Sequence, residues 1–115
     1  MTTAELSGLL REIIVISRQS DGRDLLASAS TQTQIIGSFR AAAQPLPPGE
    51  DSVANSHSAL PRWRFVLRQT DRIEPGDLLT WGRRVMTVRS VQSDHRFIPR
   101  TFLQAEENRD ETAHL

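Results

Sequence analysis

Residues 62–91 read RWRFVLRQTDRIEPGDLLTWGRRVMTVRSV, a stretch built from two β patterns with a turn between them. From Arg62 to Arg68 apolar and charged residues alternate. Trp63, Phe65 and Leu67 take one side and Arg62, Arg64 and Arg68 the other, with only Val66 breaking the pattern. A period of two belongs to a strand with one buried face. Ile73-Glu74-Pro75-Gly76-Asp77 follows, with a proline that fixes φ and a glycine free to take positive φ. This is type II turn chemistry, and the chain is expected to turn back there. Leu78, Leu79 and Trp81 then lead through Gly82-Arg83-Arg84 into Val85, Met86, Val88 and Val91, a second β-rich run. Val91 comes three residues after Val88, out of phase with a regular strand. The spacing predicts a bulge near Arg89-Ser90 that returns Val91 to the core.

Working toward the N-terminus, residues 43–61 (AQPLPPGEDSVANSHSALP) hold four of the six prolines. Proline removes ladder donors, so this segment reads as a long loop, and loops of such length usually function or become ordered on assembly. Before it, Thr31 to Ala42 regains β character around Ile35, Ile36 and Phe39, as a long irregular strand. Ser20-Asp21-Gly22-Arg23 reads as a hairpin turn. The β-branched block Ile13-Ile14-Val15-Ile16 predicts a strand from Glu12 to Arg18. Thr2 and Glu5 have capping-box spacing ahead of Leu6, Leu9 and Leu10, which predicts a short helix through about Arg11. On the C-terminal side, a last strand is expected over Arg96 to Ala105, with Thr101, Leu103 and Ala105 sharing a face and Pro99 at an edge or bend. An acidic flexible tail follows from Glu106 to Leu115.

The chain is therefore expected to be all-β, a small barrel or sandwich of about six strands with a short N-terminal helix and the Pro-rich loop. One domain over 1–105, with the loop 43–61 inserted and a tail 106–115, accounts for all 115 residues. A chain of this length buries about 65% of its unfolded surface, which is one core. The hydrophobic share is 37%, and six residues are aromatic, so that core is lean. There is no cysteine, which excludes disulfides, thiolate metal sites and a cysteine nucleophile. With no membrane-spanning apolar run and no signal-peptide pattern, a soluble intracellular protein is the default expectation.

Formal charge is zero, yet all fourteen basic residues are arginine. Residues 1–61 carry four Arg against six acids, 62–100 nine against four, and 101–115 one against four. A GC-rich source would also replace Lys by Arg. The uneven distribution nevertheless favours head-to-tail protein contacts or nucleic acid, because arginine binds carboxylate and phosphate bidentately.

Signs of an enzyme are lacking. His57, His95 and His114 have no metal-ligand spacing and read as surface residues. Ser56-His57-Ser58 does not present a triad, since sequence neighbours cannot take that geometry. Glu50-Asp51 and Glu106-Glu107 lie in polar segments, which suits charge display rather than acid-base work. Gly76 and Gly82 flank a strand with no following Lys, unlike a phosphate loop. No cofactor and no metal is expected. A nucleic-acid-binding small barrel is the alternative class, but alternation sets Arg62, Arg64 and Arg68 opposite Trp63 and Phe65. A stacking platform needs both on one face.

The run from Thr70 to Glu107 resembles the C-terminal half of phage head-tail adaptor or head-closure proteins, the stopper-like joining proteins of long-tailed phages. Ile73, Pro75-Gly76-Asp77, Gly82-Arg83, Met86, Val88, Val91 and Ala105-Glu106-Glu107 match that family's pattern. Ile14-Val15-Ile16-Ser17-Arg18 followed by Asp21-Gly22 matches its start more loosely. The Pro-rich loop departs from the pattern, being longer and less regular. The resemblance implies a virion structural protein, not an enzyme, that forms a twelve-fold or six-fold homo-oligomeric ring between portal or adaptor and tail. It would assemble in the host cytoplasm and help close the DNA channel after packaging, meeting genomic DNA non-specifically. On that footing Arg62, Arg64, Arg68, Arg83, Arg84, Glu106 and Glu107 are the candidate subunit contacts. Pro47, Gly49, Glu50, Asp51, Asn55 and His57 are the candidate channel or partner loop.

Overall fold

The computed structural model describes residues 9–23, 29–47, 60–96 and 98–108. They form six strands: β1 (Glu12–Arg23), β2 (Ala29–Leu46), β3 (Arg62–Arg68), β4 (Leu78–Trp81), β5 (Arg84–Asp94) and β6 (Arg100–Glu107). Every neighbouring pair is antiparallel. The order is β1-β2-β3-β6-β5-β4, and β4 returns to β1, closing a barrel. The all-β expectation holds at this level, and the architecture is a barrel rather than a sandwich. The helix expected before Glu12 falls mainly on residues 1–8, outside the described residues, as do 48–59 of the Pro-rich loop and the tail from 109.

Alternation on β3 is as the sequence requires. Phe65 and Leu67 are buried and join Ile14, Ile16, Leu79, Met86, Val88 and Leu103 in one core, against which Trp63 packs. The bulge is also where the spacing puts it. Val88 pairs with Ala105 and Ser90 with Gln104, leaving Arg89 as the extra residue, and Val91 stands opposite buried Leu103. Thr101, Leu103 and Ala105 are all buried together.

The turn at Pro75-Gly76 forms, but it does not fold the chain back as a hairpin. Asp77 N–H donates to Glu74 O over 3.1 Å and Gly76 has φ 95°, as in a type II turn. Such turns splay the flanking strands instead of following their right-handed twist. The turn docks on β5 instead, where Gly76 N–H donates to Val88 O and Val88 N–H to Asp77 O. Thus β3 lies between β2 and β6, and β4 between β5 and β1. The tight reversal is at Gly82-Arg83, with Trp81 opposite Arg84 and Gly82 at φ 62°. A Cβ at Gly76 would meet nothing within 4 Å, so Gly76→Ala incurs only backbone strain. A loss of about 1–2 kcal/mol is expected, read as a lower urea midpoint with an unchanged slope.

Other boundaries also shift. Asp21-Gly22 is not the hairpin turn: Asp21 pairs with Thr31, Gly22 with Ser30 and Arg23 with Ala29, so the ladder runs through it. β-prone threonines on the returning strand continue the pairing past a locally turn-favouring dipeptide. Ala43 to Leu46 belong to β2 rather than to the loop, and Pro45 pairs with Trp63. Proline is tolerated there because β1 pairs with β2 only as far as Ala41, so this end of β2 is an edge. The last strand starts at Arg100, not Arg96, and ends at Glu107, which brings Glu106 and Glu107 out of the tail and into the barrel.

Candidate functional site

The acid of the Pro-Gly-Asp turn is a tie-point. Asp77 is 2% exposed, and its carboxylate accepts from Arg18 Nε at 2.7 Å, Arg18 Nη2 at 2.9 Å and the Glu74 amide at 2.8 Å. Arg18 Nη2 also donates to Arg72 O. Arg72 in turn donates to Ile36 O, at the point where β2 skips a residue between the Ser17–Ile35 and Ile16–Gly37 pairs. A bulge frees a carbonyl from the ladder, and here a guanidinium takes it up. This network fastens the β3–β4 connection to β1 and β2. Burial pushes the Asp77 carboxyl up, but the Arg18 guanidinium and the Glu74 amide outweigh it and hold it below its ordinary 3.8.

At the opposite end, where β1, β3 and β5 begin, two tryptophans close the mouth. Trp63 and Trp81 meet edge to face at 4.9 Å, and Arg84 lies over both rings at 4.9 and 5.2 Å. Each indole N–H finds a carboxylate, Trp63 donating to Glu107 and Trp81 to Glu12, both at 3.0 Å. Arg84 also approaches Glu107 at 3.6 Å. With both indole N–H groups and Arg84 engaged, the cluster caps the core.

The outer face of β3, β6 and β5 carries the third arrangement. Cross-strand register places Val66 opposite Phe102, and Phe102 opposite Gln92. Arg64 Cζ lies 4.5 Å from the Phe102 ring centroid and Arg100 Cζ lies 5.3 Å from it. A cleft of about 540 Å³ opens beside them, lined also by Asp94, His95 and Arg96. Asp94 accepts from the Arg96 backbone amide at 3.0 Å and from its guanidinium at 3.2 Å, and these bonds, the amide first, hold its carboxyl below the ordinary value.

The arginines expected to form one outward row therefore do different things. Arg62 stands opposite Glu106, Arg64 lies on Phe102 and Arg68 faces Arg100 across the ladder. Arg83 is exposed in the β4–β5 turn, whereas Arg84 belongs to the tryptophan cap. Glu106 bonds Arg89 and Glu107 bonds Trp63, so both carboxylates are engaged within the chain. Pro47 is exposed just after β2. Gly49, Glu50, Asp51, Asn55 and His57 lie outside the described residues. The sequence reading missed Phe102 and Arg18. Alternation contained the signal for Phe102, since Thr101 and Leu103 inward requires Phe102 outward. Nothing local marked Arg18 as the partner of Asp77, 59 positions away.

Among the described residues no cluster of His, Asp and Glu could hold a metal, and no helix is long and apolar enough to cross a membrane. The molecule is thus a closed, six-stranded antiparallel barrel with an internal ion-pair tie and a cationic, aromatic outer face. It is similar to the solution structure of a protein from Shigella flexneri 2a, with TM-score 0.68 and 16% identity over 90% of this chain and 97% of that one. At that identity the likeness establishes the fold alone. No family model and no curated protein matches the sequence.

Proposed function

We propose that the chain is a structural ring subunit of a phage head-to-tail junction, linking portal or adaptor to tail and helping to close the DNA channel. The observation that carries this reading is the arm formed by β1 and β2. β1 pairs with β4 at Val15–Ser17, and beyond that Arg18 to Arg23 and Ala29 to Gln34 continue as a two-stranded ribbon. Six pairs at about 3.4 Å each extend it by about 20 Å. A lone ribbon of this kind is marginal in water, which supports a role for it against another subunit. Ile35, at its base, is 64% exposed.

Ring closure needs two different complementary surfaces on each protomer. The second candidate is the outer strip of Ile13, Val15 and Val85, where Val15 and Val85 both stand opposite Thr80. Ile13 is 55% and Val85 44% exposed. The residues that carry the family resemblance support the reading differently, as scaffold: Ile73, Asp77, Met86 and Val88 are all buried.

Mixed with portal rings, the protein is expected to form a discrete ring, six-fold or twelve-fold by particle mass. Ile35→Glu is expected to leave the melting curve unchanged and to reduce ring formation at least tenfold. A wild-type chain that stays monomeric with portal present would overturn the reading, as would an Ile35→Glu variant that assembles normally.

A further inference from the structure

The barrel's outer arginine face has a feature that ring contacts do not need. Arg64, Arg68 and Arg100 surround the outward Val66–Phe102 pair on the β3–β6 ladder, and Arg68 stands directly opposite Arg100. Arg96 adds another guanidinium on the wall of the cleft, where Asp94 is the carboxylate. Asp94 lies 3.2 Å from Arg96 Nε and 3.6 Å from Arg100 Nη2, so one negative charge is shared between two arginines. Arg64, Arg96 and Arg100 line the cleft beside the single carboxylate of Asp94, a lining that suits an anionic ligand.

We infer that this cleft binds single-stranded nucleic acid without sequence preference. Phe102 and the Arg64 guanidinium lying on it form the stacking platform, and Arg68, Arg96 and Arg100 meet the phosphates. The planar pair selects the ligand. Exposed bases stack on aromatic rings and on guanidinium planes, and the free edge of a stacked guanidinium still donates to phosphate. Duplex DNA keeps its base faces occupied, and an acidic peptide has no flat face to offer. Gln92 and Asp94, which line the cleft, can both hydrogen-bond base edges. Sequence alternation alone argued against such a platform, because the aromatics of β3 point inward. The neighbouring strand supplies the missing ring.

The site lies on a different face from the β1–β2 arm and is tested separately from ring assembly. Fluorescence anisotropy of the full chain with a labelled twelve-nucleotide oligothymidylate is the measurement, with a duplex of equal length and an oligoglutamate peptide as competitors. Single strands should bind at least tenfold more tightly than either competitor. The logarithm of the binding constant should fall with that of salt at a slope of about −2 to −3, as three or four phosphate contacts require. Phe102→Leu is expected to weaken binding about tenfold with little change in slope. Arg64→Gln should lower both, Phe102→Trp should preserve binding, and Arg83→Gln in the β4–β5 turn should change neither. Melting curves of the variants separate loss of contact from loss of fold. Equal affinity for duplex, equal competition by oligoglutamate, an unaffected but folded Phe102→Leu, or no binding at 50 mM salt would each overturn the assignment.

Discussion

Replacing Phe65 with alanine is expected to reduce stability by about 3–5 kcal/mol. Phe65 is fully buried at the centre of β3, between Ala43 on β2 and Leu103 on β6, and its ring meets Trp81 edge to face at 5.5 Å. Ala41, Ala43 and Ala105 also line this region, and small side chains cannot swing into the space a lost ring leaves. A barrel closed by hydrogen bonds on every side has little freedom to collapse, so most of the cavity cost remains. Small domains have about 5–15 kcal/mol in total, and this lean core places the variant near its folding threshold. The urea midpoint, followed by Trp63 and Trp81 fluorescence, should fall by about half or more with the slope retained. A shift of under about 1 kcal/mol would mean that Phe65 does not anchor the core.

Asp77→Ala is expected to cost about 2–4 kcal/mol, because it removes three hydrogen bonds to a buried carboxylate and leaves the Glu74 amide and Arg18 without their acceptor. The loss should also depend on pH. Burial raises the Asp77 carboxyl, the Arg18 and Glu74 bonds lower it further, and the folded value lies below the ordinary 3.8. A depressed carboxylate stabilises the fold above its unfolded value, and that contribution disappears as pH falls through the folded value. The wild type should therefore lose stability progressively below about pH 4, while Asp77→Asn loses less over the same range. Their urea midpoints should differ most at pH 7 and converge toward pH 2. A difference that is the same at both ends would remove the ionised carboxylate as its source.

Much of the barrel was readable because its signals are local. Trp63, Phe65 and Leu67 alternate with arginines, so their faces follow from the pleat. Val91 is out of phase with Val88, so a bulge at Arg89 follows from the need to bury it. Pro75-Gly76 states its turn type through the φ angles those residues allow. Boundaries failed where pairing between strands overrode local preference. Asp21-Gly22 stays in a ladder, and Pro45 is tolerated because one side of β2 has lost its neighbour by then. The hairpin expected across residues 62–91 failed for a related reason, since a type II turn redirects a strand instead of reversing it in register.

The outer cleft was half readable. Alternation on β6 sends Phe102 outward and alternation on β3 sends Arg64 outward, yet neither pattern says that the two strands are neighbours. The Arg18–Asp77 pair was not readable at all.

By itself, then, the sequence determined that the chain is built mainly of strands, which residues of β3, β5 and β6 face inward, and that there is a bulge at Arg89 and a type II turn at Pro75-Gly76. These are properties of the pleat, which repeats every two residues and is written along the chain. Only the tertiary structure decided which strands lie side by side, and so which outward residues meet. Closing β4 onto β1 sets that order, and closure is an agreement among strands far apart in sequence. It brings Arg64 onto Phe102, Arg18 onto Asp77 and both tryptophans under Arg84.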